Sequence, residues 1–126
     1  MNTKLFAIAS VVALSVAPHV HAYSEQAEVG AVEMTDKIIS VSGSGYRRTF
    51  PCNGRKLEVA GIGHVISTTG ECSNVDVSGA ENTVEVAIAP KGTLEVSGAT
   101  NTVRWKSSGQ IKQDVSGAEH KVTRIK

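Results

Sequence analysis

Residues 75–86 read VDVSGAENTVEV, and residues 94–105 read LEVSGATNTVRW. In the first stretch Val75 and Val77 precede a Ser-Gly-Ala-x-Asn segment, and Val84 and Val86 follow it. Apolar residues on every second position give the period of a strand with one buried face. The segment between the strands is a turn, in which Gly and Asn accept the positive φ that other residues resist. The unit extends in both directions: residues 57–68 read LEVAGIGHVIST and residues 113–124 read QDVSGAEHKVTR. Its anchor valines are Val59, Val77, Val96 and Val115, so successive steps are 18, 19 and 19 residues. A worn copy, Ile39-Ser40-Val41-Ser42-Gly43, lies a further 18 residues upstream.

Fixed periodicity at this length is the signature of a solenoid, whose coils bury their apolar faces by stacking on one another. Helical spacing is absent from the repeats, and Val, Ile and Thr suit strands. The expected fold is all-β: a small parallel β-helix, or β-solenoid, of about five coils with repeats of 18–19 residues. The competing architecture is an antiparallel β meander or sandwich, each hairpin folding at its own Gly-Ala-x-Asn turn. The constant step and the like residues at equivalent positions favour parallel stacking.

The units, with their Val-x-Val-x-Gly-x-x-Asn-x-Val core, the cysteine pair and the apolar leader, resemble a secreted bacterial family known as domain of unknown function 3060. The resemblance covers roughly residues 52–107, with a further copy running to the C-terminus, and His64 and His120 replace the Asn of the pattern. It implies a β-solenoid-like fold and an exported location, and no established activity.

Lys4, the apolar run from Leu5 to Ala17 and the small residues of Val20-His21-Ala22 form a secretory signal peptide, with cleavage expected after Ala22. The run is too short to span a bilayer comfortably, so no membrane span is expected after cleavage. The organisation read from the sequence is a signal peptide at 1–22, an N-terminal polar segment or cap at 23–37, and a repeat domain at 38–126. The chain has 13 basic and 12 acidic residues, which argues against nucleic-acid binding. Acidic Glu25, Glu28, Glu33 and Asp36 lie near the start of the mature chain, and basic Arg104, Lys106, Lys112, Lys121, Arg124 and Lys126 near its end. Opposite ends of opposite sign keep head-to-tail self-association open, against solvated tails as the plainer reading.

Cys52 and Cys72, an even pair in an exported chain, are expected to form a disulfide. Closing that loop is worth about 3 kcal/mol in the chain-entropy model. Asn82 and Asn101 share one position in adjacent coils and suggest a structural ladder of stacked amides. His64 and His120 hold the same position three coils apart, about 14 Å, and so cannot share a metal ion. Glu58, Asp76, Glu95 and Asp114 fall between inward positions of the first strand and are expected to form one outward column, which could hold a cation weakly.

Tyr46, Arg47, Arg48 and Phe50 form the least repetitive stretch, basic with interleaved aromatics, a composition suited to a partner contact. The plainer reading is a connecting loop pinned by Pro51 and Cys52. Trp105 replaces a valine of the previous coil and reads as core or cap. Ser78, Ser97 and Ser116 recur in the turn, whereas a nucleophile needs a single activated copy beside a base. No catalytic residue and no cofactor is assigned. The expectation is a non-enzymatic periplasmic or secreted protein with a binding or structural role in the envelope, its partner an unidentified protein or glycan. An inhibitor or immunity-type protein and a polysaccharide-binding or polysaccharide-processing protein are the alternatives.

Overall fold

The computed structural model describes residues 28–126. The signal peptide expected at 1–22 and residues 23–27 lie outside the described residues. Nine strands form a single sheet system: β1 (Val29–Met34), β2 (Ile38–Ser44), β3 (Arg47–Pro51), β4 (Lys56–Ile62), β5 (Val65–Ala80), β6 (Thr83–Val96), β7 (Thr102–Lys106), β8 (Lys112–Val115) and β9 (Lys121–Arg124). Every pairing is parallel except that of β1 with β2. This is a parallel β-solenoid of about five coils, and the antiparallel meander is set aside.

Two stacks run the length of the solenoid. One holds β2, β4, residues 74–80 of β5, residues 93–96 of β6, and β8. The other holds β3, residues 65–72 of β5, residues 83–88 of β6, then β7 and β9. In the first stack Val41, Val59, Val77, Val96 and Val115 are aligned one above another, as the repeat spacing requires. The first four are buried, as is the neighbouring column of Ile39, Leu57, Val75 and Leu94. The core is thus built from columns of like residues, each coil covering the next.

The turn between the two strands of a coil is fixed by glycine. Gly43, Gly61, Gly79, Gly98 and Gly117 have φ of 103°, 116°, 99°, 95° and 94°. A Cβ on any of the last four would collide with the carbonyl oxygen of the glycine one coil earlier. Glycine is therefore needed twice over, for its dihedral angle and for the approach of one coil to the next. The second positive φ of the turn falls not on Asn, as expected, but on the residue before it: Glu81 (57°), Thr100 (57°) and Glu119 (60°), with Gly45 and Gly63 in the earlier coils. Asn82 and Asn101 are thereby freed to point inward.

At the N-terminal end β1 lies antiparallel on β2, with Val32 packed against the core. At the C-terminal end the last coil is largely exposed, with Val115 46% accessible. Among the described residues no helix is long and apolar enough to cross a membrane.

Candidate functional site

The turn position shared by His64, Asn82, Asn101 and His120 carries a hydrogen-bonded ladder, built differently from the stack of amides expected. Asn82 Oδ1 accepts from the main-chain N–H of His64 at 3.0 Å, and Asn101 Oδ1 accepts from that of Asn82 at 3.0 Å. Each amide nitrogen then donates within its own coil, to Ser78 O at 3.0 Å and Ser97 O at 2.8 Å, and also to a glycine carbonyl of the preceding coil, Gly61 O or Gly79 O, at 3.1 Å. The ladder therefore links side chain to main chain, because one amide meets both an N–H and a glycine carbonyl of the preceding coil and a carbonyl of its own.

The two histidines continue it. His64 Nδ1 accepts from Tyr46 N–H at 3.1 Å, and His120 Nδ1 accepts from Asn101 N–H at 3.2 Å. Their Nε2 atoms face Ala60 O at 2.9 Å and Ser116 O at 2.6 Å, the same carbonyl four residues back that Asn uses. These contacts require the neutral tautomer protonated on Nε2. His64, Asn82 and Asn101 are fully buried, and among the described residues no buried side-chain polar atom lacks a partner. Imidazole replaces carboxamide here because both present one acceptor and one donor.

The acidic column is present: Glu58 pairs in register with Asp76, Asp76 with Glu95, and Glu95 with Asp114. Lys56 Nζ reaches Glu58 Oε1 at 2.9 Å. Lys56 is held above the usual lysine range, chiefly by that hydrogen bond and further by the charges of Glu58, Asp76 and Glu95. Among the described residues no group of three or more His, Cys, Asp or Glu side chains converges to hold a metal ion. The Lys56 ion pair neutralises the column's first member, Glu58.

The basic aromatic stretch divides. Tyr46 and Phe50 are each 8% exposed and belong to the core, Tyr46 stacking on His64 with ring centroids 5.6 Å apart, so neither offers a partner contact. Arg48 is in register with Ile66, at the open end of an interior column, and its guanidinium bonds Glu28 Oε2 at 2.8 Å while lying 5.6 Å from the Tyr46 ring. It closes the core's end. Arg47 is exposed beside Thr49 and Ser67 in a shallow depression of about 280 Å³.

A larger cleft, about 940 Å³, opens on the side where the second strand of each coil returns to the first. Its origin is a break in the repeat. Ser67 pairs with Glu85, yet Glu71 pairs with Ala87, so Thr68, Thr69 and Gly70 bulge relative to β6, while Thr68 and Thr69 keep their register with Phe50 and Pro51 of β3, and the three form one wall. Cys52 and Cys72 are disulfide-bonded with Cα atoms 5.1 Å apart, and Cys72 follows the bulge after Glu71. Thr69 O and Glu71 O also accept from Cys52 N–H and Gly54 N–H at 2.8 and 2.7 Å. The bulge is thus braced covalently and by main-chain bonds.

The far wall is the chain's last segment, Arg124 to Lys126, with Lys106, Ser107 and Ser108 beside it. Arg124 lies over the buried Trp105 ring at 5.1 Å and donates to Ser107 O at 3.0 Å. Trp105 is core, as read. The cleft residues were not singled out by sequence reasoning. Lys106, Arg124 and Lys126 registered as terminal charge, and the bulge left no signal in the spacing of the repeats.

The fold and the ladder define this chain as a parallel β-solenoid whose coils are joined by main-chain-to-turn hydrogen bonds. Residues 59–117 match the family described as protein of unknown function (DUF3060), which bears out the resemblance carried by the repeats. The match begins after Cys52 and reaches into the last coil, so the disulfide is only half within it. No curated protein and no solved structure matches the chain.

Proposed function

We propose that this chain is an exported, non-enzymatic recognition protein that works in the periplasm or outside the cell. Its solenoid serves as a rigid frame for one binding cleft. The observation that carries the reading is the bulge at Thr68–Gly70, one of two register breaks between β5 and β6, which a disulfide braces beside an open cleft. A fold needs no such departure for its own stacking, and pre-organised concave sites are where ligands bind. The cysteine pair at bonding distance fits an oxidising, extracytoplasmic environment, and the leader at 1–22 supports export. The non-enzymatic part is supported by His64 and His120, whose ring nitrogens are all engaged with the main chain and so offer no general base.

The test passes fractionated envelope glycans, lipids and proteins over the immobilised intact protein and over a Lys106→Glu, Lys126→Glu variant. Retention of one fraction by the parent and its loss in the variant is expected, with no new reducing ends released. Equal retention by both proteins overturns the cleft as the site, and released product overturns the non-enzymatic reading. The exposure of Arg47 favours a second reading, an inhibitor-type contact with one protein target. That reading expects a protein fraction whose retention is lost in Arg47→Glu alone.

A further inference from the structure

We propose that the cleft binds a short oligosaccharide bearing carboxylate groups, an inference that rests on the recognition reading above. Lys106, Arg124 and Lys126 bring three cationic groups to its floor and far wall. None has a carboxylate partner among the described residues, where the ion pairs are Arg48–Glu28, Lys56–Glu58 and Arg104–Glu85. Arg124 is held in place by its stacking on Trp105 and its bond to Ser107 O, so part of the positive field is fixed before any ligand arrives. Charge-assisted hydrogen bonds from such groups to carboxylate oxygens are among the strong polar contacts.

The remaining lining sets the ligand class. Thr68, Thr69, Ser107 and Ser108 line both walls with hydroxyl-bearing side chains, while Ala87 and Ile125 add apolar surface on which the C–H face of a sugar ring can rest. Glu71 at the bulge accepts hydrogen bonds from ligand hydroxyls and repels a densely charged polyanion. The combination selects separated negative charges with hydroxyls between them, which a chain of sugar acids offers and a polyphosphate does not. The volume of about 940 Å³ suits a ligand of a few rings.

The experiment is a titration of the oxidised, isotope-labelled mature chain, followed by amide chemical shifts. The probes are trigalacturonate, uncharged cellotriose and inorganic phosphate. Trigalacturonate is expected to move the amides of residues 68–71, 106–108 and 124–126, with binding weakened about tenfold or more in Lys106→Ser, Lys126→Ser and by added salt. Both lysines are exposed, so the variant's melting curve should match the parent's and separate loss of binding from loss of fold. An equal response to cellotriose or phosphate, an unchanged affinity in the variant, or shifts centred on Arg47 overturns the proposal. If no sugar acid binds while another envelope fraction still depends on the cleft lysines, the ligand class falls and the recognition reading stands. If neither is seen, both fall.

Discussion

At position 82 and its equivalents the coil requires a side chain that offers an acceptor toward the preceding coil and a donor toward the main chain four residues back. Asn meets this with Oδ1 and Nδ2, and His with Nδ1 and Nε2. Asn101→Ala therefore strands the buried Asn82 N–H and frees two carbonyls, and is expected to cost about 1–3 kcal/mol. Ser108→Ala, at an exposed site, should cost a few tenths; urea melts of the two variants make the comparison. His64→Asn is expected to retain more stability than His64→Ala, since the amide restores both bonds. Thr100 is strained, because a β-branched residue at φ 57° is disfavoured by roughly 1–2 kcal/mol. Gly45 and Gly63 occupy the same position in earlier coils. Thr100→Gly should thus raise stability by about 0.5–1 kcal/mol after the added chain entropy is offset, read as a higher urea midpoint with an unchanged slope.

The hold of one coil on the next depends on how closely the glycine turns approach. Gly79→Ala would place a methyl group against the Gly61 carbonyl oxygen, so the two coils must part or the turn must unwind. A loss on the order of 3 kcal/mol or more is expected. Gly54 is the control: its φ is 81°, but a Cβ there meets nothing within 4 Å. Gly54→Ala should cost only about 1–2 kcal/mol from the dihedral angle. Similar losses for both variants in thermal melts would mean that backbone conformation, and not the approach of coils, governs the turn. The acidic column illustrates how an element can be legible while its chemistry is not. The alternation of β4 to β8 placed Glu58, Asp76, Glu95 and Asp114 in one line, but only the structure showed that Lys56 caps it with an ion pair to Glu58.

The molecule's two ends are finished differently. At the N-terminal end Arg48 and Glu28 cover an interior column, and the Arg48 hydrogen bond holds the Glu28 carboxyl below the usual carboxylate range. A depressed folded-state pKa contributes stability that is present above the unfolded carboxylate value and is lost as pH falls through the folded one. Glu28→Gln should accordingly speed hydrogen exchange of β1 and β3 amides at neutral pH, and the difference from the parent should vanish at about pH 2. A difference that persists at that pH would mean that the bridge does not hold the end. The same whole-molecule view explains the cleft, whose walls come from the bulge at 68–70 and the chain's last segment. No local reading joins residues so far apart in the chain.

The sequence by itself determined the repeat, and with it the parallel register. A solenoid buries its core only when equivalent residues stack, so Val59, Val77 and Val96 announce their own neighbours. It also determined the disulfide partners, since only Cys52 and Cys72 exist. Tertiary structure alone decided the fate of residues outside the period. Tyr46 and Phe50 are buried because the first coil's end must be filled, whatever their composition suggests. The cleft arises because an irregular bulge and a terminal tail meet across three coils, and such a meeting depends on where the chain passes in space, which periodicity does not encode.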